Sequence, residues 1–327
     1  MLFALALIPV IALLIFIYVR DKKEKEPIGL LIGLFFAGMG TCFTAMILEF
    51  IGEALLNAIF YYESMIKSFI FAFCIVGPAE ELGKYAVLRL ITWKNKNFNY
   101  SYDAIVYAVF VSLGFACFEN VGYCFMYGLG TALLRMFTAV PGHACFAVFM
   151  GFFYSKAKQA QLRGKKGEYA KFNALTLLVP IIGHGLYDGI IMSASASDYE
   201  IVMGIGALLW LGYVIVMFTI SGIMVFKASK NDYCIVTVPA PVPGAAAVQT
   251  IYRPQVAGTW TCSCGITNNF NFCSACGKPR PMINTPWYCP ECGTLSSFNF
   301  CGNCGCAKPK NAPVPGVLPA SYSNTNS

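Results

Sequence analysis

Seven charged or titratable side chains lie inside stretches of the sequence that are otherwise apolar. They are Glu80, Glu81 and Lys84 in GPAEELGKYAVLRL, Glu119 in GFACFENVGY, His143 in VPGHACF, and His184 and Asp188 in IIGHGLYDG. His143 and His184 are the only two histidines of the chain. Ionisable groups are rare in segments that cross a bilayer, and each one indicates a functional site by default.

Helical spacing places several of these groups on shared faces. Residues four apart share a face, so Lys84 can neutralise Glu80, and His184 can pair with Asp188. Lys84 can also reach Glu81, but that side chain lies roughly 100° further around the helix, which favours Glu81 as the less engaged glutamate. The Asp188 carboxylate would fix the tautomer of His184 and leave its second ring nitrogen free.

The ionisable groups are also expected at similar depths in the bilayer. His143 and His184 each lie about 12 residues into their apolar runs, or roughly 18 Å into a core about 30 Å thick. Glu119 is expected somewhat beyond the midplane, and Glu80 and Glu81 towards the opposite, basic side. A single buried histidine or glutamate is often only an interhelical hydrogen-bonding group. Five such groups on four spans instead favour one hydrated cavity shared between helices.

Carboxylates and imidazoles together support three kinds of chemistry. Two histidines and a glutamate can hold a divalent metal, by preference zinc, while a second glutamate deprotonates water. Without metal, a glutamate can activate water directly while histidines stabilise the oxyanion. Both arrangements would hydrolyse a peptide bond within the membrane. The same residue types would also serve a proton-coupled transporter or a non-enzymatic receptor. The H-E-x-x-H pattern of soluble metalloproteases is absent.

The chain that must position these groups is strongly apolar. Of its 327 residues, 57% are hydrophobic and 12% are charged, whereas globular domains are about 25% charged. This composition excludes a purely soluble fold, and runs long enough to cross a bilayer recur as far as about residue 226. We predict an all-α multi-pass membrane protein with about seven transmembrane helices. The predicted spans are 2–19, 28–50, 66–91, 103–127, 131–154, 172–193 and 201–226.

Lysine and arginine are concentrated in every second connection between the spans, and this pattern sets the predicted orientation. The connections after the first, third, fifth and seventh spans are basic, whereas the opposite side keeps only Lys67 and Arg135. Because cytoplasmic loops carry the excess of Lys and Arg, we predict a cell-membrane protein with an outer N-terminus and a cytoplasmic tail. Residues 51–64 are predicted as an interfacial helix on the outer side. The first apolar run lacks a basic n-region and a cleavage site, which favours a retained span over a signal peptide.

The tail contains two similar cysteine-rich copies, WTCSCGITNNFNFCSACGKP and WYCPECGTLSSFNFCGNCGCAKP. Each copy supplies four cysteines in two close pairs, the pattern of a closed structural zinc site. A copy of about 20 residues is too small for an apolar core, so metal would supply its folding energy. A reducing cytoplasm disfavours the alternative of disulfides. The predicted ligands of two zinc ions are Cys262, Cys264, Cys273, Cys276, Cys289, Cys292, Cys301 and Cys304, and Cys306 is left over.

These features predict five parts of the chain. They are a membrane domain at 1–226, a flexible linker at 227–258, zinc ribbons at 259–281 and 286–310, and a disordered end at 311–327. From residue 227 onwards there are seven Lys or Arg and two Asp or Glu. Because no dense basic stripe is present, nucleic acid is disfavoured as a partner. We expect the ribbons to sense a signal or to recruit a cytoplasmic protein or the substrate.

Four short motifs in the membrane domain resemble, in order and spacing, those of one family. The set Glu80-Glu81-x-x-Lys84, Phe115-x-x-x-Glu119-Asn120, His143 and His184-x-x-x-Asp188 resembles the PrsW family of intramembrane proteases. That family is distantly related to the CAAX-prenyl and bacteriocin-processing proteases. The likeness covers roughly residues 1–226.

The resemblance implies a multi-pass, metal-dependent peptidase that cleaves membrane-anchored proteins, such as an anti-sigma factor in stress signalling. By the resemblance, Glu80 and Glu81 are the catalytic pair, although it leaves open which of them is the base. The groups implied to bind metal or to polarise the scissile carbonyl are Glu119, His143 and His184. The implied supporting groups are Lys84 and Asp188. A catalytic zinc would then join the two structural zinc ions of the ribbons.

Overall fold

The computed structural model describes residues 2–235 continuously and parts of the tail. The described tail residues are 260–261, 265, 267–268, 286–289, 291–296, 300–301, 303, 305–306 and 308. The chain divides into two compact units, Met1–Val236 and Thr237–Ser327. The predictions for most of the linker, for the end of the chain and for five of the cysteines lie outside the described residues. Those cysteines are Cys262, Cys264, Cys273, Cys276 and Cys304.

The first unit is helical because apolar runs in a bilayer must satisfy their own backbone hydrogen bonds. Within residues 2–235 the helices are α1 (Leu2–Arg20), α2 (Ile28–Ile59), α3 (Met65–Phe71), a π-helical segment (Ala72–Val76), α4 (Gly77–Thr92), α5 (Asp103–Phe137), α6 (Ala139–Leu162), α7 (Lys166–Ser195) and α8 (Glu200–Lys230). All seven predicted spans are helical, apart from a break at Thr138.

The long helices have the length and composition of membrane spans. Four stretches of the described residues are long and apolar enough to cross a bilayer. The first is α2, the second is the joined run of α5 and α6, the third is α7 and the fourth is α8. Helix α1 contains a shorter apolar stretch. Large apolar side chains face outwards on these helices, for example Phe50 and Leu208, which are 74% and 72% exposed. A bilayer would cover such a surface. The chain is therefore an all-α multi-pass membrane protein.

Two helix ends differ from the sequence prediction. The predicted interfacial helix at 51–64 is wrong, because α2 continues without a break to Ile59. No proline or glycine pair interrupts this stretch, so the helix is not forced to end at residue 50. Gly128, whose φ of 80° and ψ of −160° are not helical, lies in the predicted gap between the fourth and fifth spans, and the chain bends back there. Helix α5 resumes beyond this kink and ends at Phe137.

Helices α2 and α5 approach each other backbone to backbone through two glycines. A Cβ atom on Gly38 would lie 1.9 Å from the carbonyl oxygen of Val111. A Cβ atom on Gly114 would lie 2.0 Å from the carbonyl oxygen of Phe35. Small residues permit such close contacts between membrane helices. This contact fixes the part of α5 that carries Glu119, about one turn beyond Gly114.

The first unit extends a few residues beyond the predicted membrane domain. Helix α8 ends at Lys230 rather than at residue 226, and the segment after it packs back on the loop before α5. The Ser101 amide donates to the carbonyl of Tyr233 at 2.9 Å, and the Ile235 amide donates to the carbonyl of Asn99 at 2.7 Å. Residues 231–235 therefore belong to the membrane unit and not to the linker.

The described tail contains two matching hairpins. Strands β1 (Trp260–Thr261) and β2 (Thr267–Asn268) are antiparallel and pair Trp260 with Asn268. Strands β3 (Trp287–Tyr288) and β4 (Leu295–Ser296) are antiparallel and pair Trp287 with Ser296. The tryptophan of each sequence copy thus begins the first strand of its hairpin, so the repeat seen in the sequence is also a structural repeat.

Candidate active site

The ionisable groups predicted from the sequence meet between four helices. Glu80, Glu81 and Lys84 lie on α4, Glu119 on α5, His143 on α6, and His184 and Asp188 on α7. The rings of His143 and His184 are 5.2 Å apart between their centroids. Gly77 brings α4 against α7, because a Cβ atom there would lie 3.2 Å from the Ile181 carbonyl oxygen. This close packing places the first turns of α4 opposite His184.

The Lys84 ammonium lies among the predicted catalytic groups. Its Nζ atom is 3.0 Å from Glu80 Oε2 and 2.8 Å from Glu81 Oε1. It also lies 3.2 Å from His143 Nδ1 and 4.0 Å from the centre of the Phe115 ring. The spacing argument predicted Glu81 as the less engaged glutamate, and this is wrong. Lys84 reaches both carboxylates, because residues three and four positions away lie on the same side of the helix.

His184 is held between two carboxylates. Its Nδ1 atom lies 3.0 Å from Glu81 Oε1, and its Nε2 atom lies 3.1 Å from Asp188 Oδ2. The predicted pairing with Asp188 is confirmed. The prediction that the second ring nitrogen would be free is wrong, because the packing of α7 on α4 brings Glu81 against it. The Phe146 ring stacks on the imidazole with centroids 4.7 Å apart.

His143 has the same orientation as His184. Its Nδ1 atom faces the Lys84 ammonium, and its Nε2 atom lies 2.9 Å from Glu119 Oε2. Glu119 is held in turn by Arg135, whose Nη2 atom lies 2.9 Å from the same oxygen. Glu119 therefore lies behind His143, as Asp188 lies behind His184. Both histidines direct Nδ1 towards the glutamate pair and Nε2 towards an outer carboxylate.

Two groups at this site were missed by sequence reasoning. Arg135 was interpreted only as a charge that reports orientation, and no helical spacing links it to Glu119, 16 residues earlier. The kink at Gly128 lets the end of α5 fold back so that the two side chains meet. Glu49 lies near the end of a predicted span and has no ionisable residue at helical spacing within that span. It lines a cavity beside the site.

That cavity has a volume of about 380 Å³ and contains several of the polar groups. Its acidic and basic lining residues are Glu49, Glu80, Glu119, Arg135 and Asp188. Apolar residues of α2 and α5 complete its wall, including Met46 and Met126, which are 59% and 73% exposed. The cavity therefore extends from the buried Glu80 to the outer surface of the helices.

A metal fits the inner donors better than the set predicted from the sequence. One donor atom from each of Glu80, Glu81, His143 and His184 lies within 4.8 Å of the others, and all four residues are buried. The Oε2 atom of Glu81 is buried and has no hydrogen-bond partner among the described residues. Two imidazoles with carboxylates form a donor set that suits zinc. Lys84 contacts the same donor atoms, so its ammonium would compete with a metal for them.

The sequence predicted Glu119 as a metal ligand, but the structure does not place its carboxylate among the inner donors. This carboxylate lies on the Nε2 side of His143, away from the inner donors. Carboxylates in that position orient a ligand histidine and set its tautomer. Glu81 takes the inner place instead.

The second cysteine repeat brings its described cysteines together. Cys289, Cys292 and Cys301 offer sulfur atoms within 4.8 Å of one another, and the Sγ atoms of Cys292 and Cys301 are 3.5 Å apart. Burial raises the pKa of Cys292, but hydrogen bonds from Thr294 and its other neighbours outweigh this and lower the pKa to about 6. A thiolate is the form that binds metal. Cys306 is buried beside them, and its carbonyl oxygen accepts from the Cys301 amide.

Two turns in this repeat have the same hydrogen bonds. The Cys289 carbonyl accepts from Gly293 at 2.8 Å, and the Cys301 carbonyl accepts from Gly305 at 2.8 Å. The φ angles of Gly293 and Gly305 are 70° and 78°, a conformation that only glycine adopts readily. The hydrogen bonds of Gly293 and Gly305 therefore close two equivalent turns, and the Sγ atoms of Cys292 and Cys301 bring these turns close together.

The fold and the site together define a class, an integral membrane hydrolase with acid and imidazole groups buried between its helices. Residues 26–221 match the profile of a family described as "PrsW family intramembrane metalloprotease". The chain belongs to this family. It is an intramembrane protease, with the bilayer as its surroundings and a membrane-embedded protein as its substrate. The cysteine repeats lie outside the matched residues.

Curated relatives agree with this assignment. The chain is 32% identical to Protease PrsW of Halalkalibacterium halodurans over 205 residues, which cover 63% of this chain and 90% of the relative. It is 34% identical to Protease PrsW of Oceanobacillus iheyensis over 204 residues, covering 62% and 88%. For Protease PrsW of Bacillus subtilis the identity is 32% over 205 residues, covering 62% and 88%. No solved structure matches the chain.

Proposed function

We propose that Glu80 is the general base of this protease and that Glu81, His143 and His184 hold its metal. The position of Glu80 carries this assignment. Glu80 lines the cavity, whereas the Glu81 side chain is 0% exposed and faces His184. Catalytic zinc sites commonly use three protein ligands and leave one position open for water or substrate. A base beside that position must reach the incoming water, and Glu80 has that access.

A zinc ion bound there would polarise the scissile carbonyl and lower the pKa of its water. The remaining steps use side chains of this chain. Glu80 accepts a proton from the attacking water and returns it to the leaving amine, so that one water is consumed for each bond cleaved. Asp188 and Glu119 hold the two imidazoles with Nδ1 directed inwards. Arg135 holds Glu119, and Lys84 limits the repulsion between Glu80 and Glu81.

The cavity also supports a proposal for the substrate. Its wall includes the exposed Met46 and Met126, so an unwound transmembrane segment could enter sideways between α2 and α5. We propose a membrane-anchored regulatory protein as substrate, similar in kind to an anti-sigma factor. With the N-terminus outside and the tail in the cytoplasm, two zinc ribbons would recruit this substrate or a cytoplasmic partner. The clustered cysteines of the second repeat support zinc there.

Cleavage of a single-span reporter in proteoliposomes tests the assignment. Glu80→Gln is expected to lower turnover by about 10²–10⁴-fold, the contribution of a general base. Glu53→Gln is the matched control, because Glu53 is an exposed glutamate of α2 and should leave turnover unchanged. Turnover by Glu80→Gln equal to that of Glu53→Gln would remove Glu80 from the mechanism.

Zinc content then separates the base from the ligands. Glu81→Gln is expected to lose both cleavage and one zinc ion per chain, whereas Glu80→Gln should lose cleavage and keep its zinc. The two variants differ by one position and remove the same charge, so a general effect of charge would affect both equally. Loss of zinc from Glu80→Gln but not from Glu81→Gln would reverse the two roles.

A further inference from the structure

A second group of buried carboxylates lies at the N-terminal end of α5, whereas Glu119 lies near the middle of that helix. Asp21 follows α1, Glu26 precedes α2, and Asp103 begins α5. Their side chains offer oxygen atoms within 4.8 Å of one another, and the residues are 0%, 2% and 0% exposed. Asp103 and Glu119 are 16 residues apart on one helix, or about 24 Å at 1.5 Å per residue. The group is thus separate from the active site.

The hydrogen bonds made by the protein leave this group incomplete. Tyr107 donates its hydroxyl to Glu26 Oε2, and the amides of Asn99 and Tyr100 donate to Asp103 Oδ2 at 3.0 and 2.7 Å. By hydrogen-bond geometry, both carboxylate oxygens of Asp21 and Oδ1 of Asp103 have no partner among the described residues, although the Glu26 backbone lies close to Asp21 and the Glu26 carboxyl lies close to Asp103. A buried carboxylate oxygen without a partner is unusual, because each one forfeits its hydration.

Lys25 compensates the charge of this group only in part, whereas Lys84 contacts both carboxylates of the glutamate pair directly. The Lys25 ammonium lies nearby but donates to the backbone carbonyl oxygens of Tyr18 and Asp21. A fourth carboxylate adds to the negative charge, since Asp232 raises the pKa of Asp21. Burial is the largest cause and raises the pKa of Asp21 to about 7, although Lys25 offsets part of this effect. Burial likewise raises the pKa of Glu26 to about 8.

We propose that Asp21, Glu26 and Asp103 bind a hard divalent cation, Mg²⁺ or Ca²⁺. Carboxylate oxygens are the ligands that these ions prefer, whereas zinc favours nitrogen and sulfur. The cation would neutralise charges contributed by three separate segments. Asp232 lies beside the group and holds the segment after α8, because its Oδ1 accepts from Ser101 Oγ and the Tyr102 amide, both at 2.8 Å. The ion would therefore fasten α1, α2, α5 and the end of α8 at one surface of the membrane unit.

Thermal unfolding of the full-length protein in detergent tests this site with the metal alone. Addition of MgCl₂ or CaCl₂ should raise Tm in a saturable manner, because an ion that binds only the folded state stabilises it. Asp21→Asn should abolish the rise. Glu24→Gln is the matched control, since Glu24 is exposed in the same loop, and the rise should remain. Comparison of the two salts identifies which ion binds more tightly.

Terbium luminescence supplies a second readout that does not depend on the stability of a variant. Tyr107 contacts Glu26, so excitation of tyrosine should sensitise bound Tb³⁺, and Mg²⁺ or Ca²⁺ should displace it. Glu81→Gln should keep both responses, which separates this site from the one in the membrane. An unchanged Tm of the wild type in both salts would overturn the proposal, and so would a full response in Asp21→Asn. Loss of the response in Glu81→Gln would assign the ion to the active site and also overturn it.

Discussion

The membrane site and the second cysteine repeat both gather metal-type ligands, but over very different distances along the chain. The four inner donors of the membrane site lie between residues 80 and 184 on three helices. The three described cysteines lie between residues 289 and 301, on two tight turns beside two-residue strands. Helix packing positions the membrane donors, whereas the cysteine repeat has too little buried surface to hold its own shape. We therefore expect the fold to build the first site, whereas the second should need a bound metal in order to fold.

Loss of zinc from the second repeat is expected to have the largest effect, because zinc binding by small structural sites is worth about 10–16 kcal/mol. Combined Cys289→Ser and Cys301→Ser substitution should remove one zinc ion per chain and unfold that repeat, while helical circular dichroism of the membrane unit remains. Zinc analysis and proteolysis of the tail measure this outcome. Cys74→Ser is the control, because Cys74 is an exposed cysteine of the membrane unit. An intact, protease-resistant repeat without zinc would contradict the comparison.

The stability of the membrane site should depend on the buried ammonium of Lys84. In metal-free protein, Lys84→Met removes the ammonium that pairs with both buried glutamates, and breaking a buried ion pair costs about 3–5 kcal/mol. Denaturant unfolding in detergent measures this loss. Lys67→Met is a matched control, since Lys67 is also buried but pairs with a Glu63 side chain that is 76% exposed, and such pairs contribute about 0–1 kcal/mol. Equal losses in the two variants would show that Lys84 does not compensate the site.

Close packing of α2 on α5 should also affect the stability of the membrane unit that contains this site. Gly38→Ala would place a methyl group 1.9 Å from the Val111 carbonyl oxygen, and such overpacking costs about 1–3 kcal/mol. Gly40→Ala, two residues along the same helix, meets nothing within 4 Å and should be neutral or slightly stabilising. Unfolding midpoints of the two variants give the comparison. A loss in Gly40→Ala as large as in Gly38→Ala would argue against the close approach of α2 and α5.

The smallest expected effect concerns the positioning of His143. Loss of the outer partner of a ligand histidine usually costs about 10–100-fold, and Arg135 acts on His143 only through Glu119. Arg135→Gln should therefore lower kcat by no more than this and should leave KM nearly unchanged. Arg135→Lys should restore part of the rate, because the positive charge beside Glu119 is kept. Arg163→Gln, at an exposed arginine, serves as the control. A rise in KM without a change in kcat would mean that Arg135 binds substrate rather than supporting His143.

Several features of the site were predictable from residue types and local spacing. The Glu80–Lys84 and His184–Asp188 pairs follow from four-residue spacing on a helix, and the structure confirms both. The meeting of α4, α5, α6 and α7 was predicted from depth in the bilayer, and it is confirmed by the inner donors of α4, α6 and α7 and by the contact of Glu119 with His143. Depth restricts each group to a plane, so that few arrangements of the helices remain.

The roles within the site were less predictable. Sequence reasoning assigned Glu119 to the metal and Arg135 to orientation only, whereas the two side chains form a pair behind His143. Helical periodicity cannot relate them, because the kink at Gly128 interrupts the helix between them. The engagement of Glu81 also depends on α7, which brings His184 within 3.0 Å of it.

The sequence by itself determined the membrane setting, the helices, the paired groups at helical spacing and the cysteine repeats, because all of these follow from composition and from contacts a few residues apart. Tertiary structure alone decided which nitrogen of each histidine faces inwards, which glutamate reaches the cavity, and that Asp21, Glu26 and Asp103 meet. These arrangements depend on how helices rotate and pack against one another. Close contacts such as that of Gly38 with Val111 set those rotations, and no local pattern encodes them.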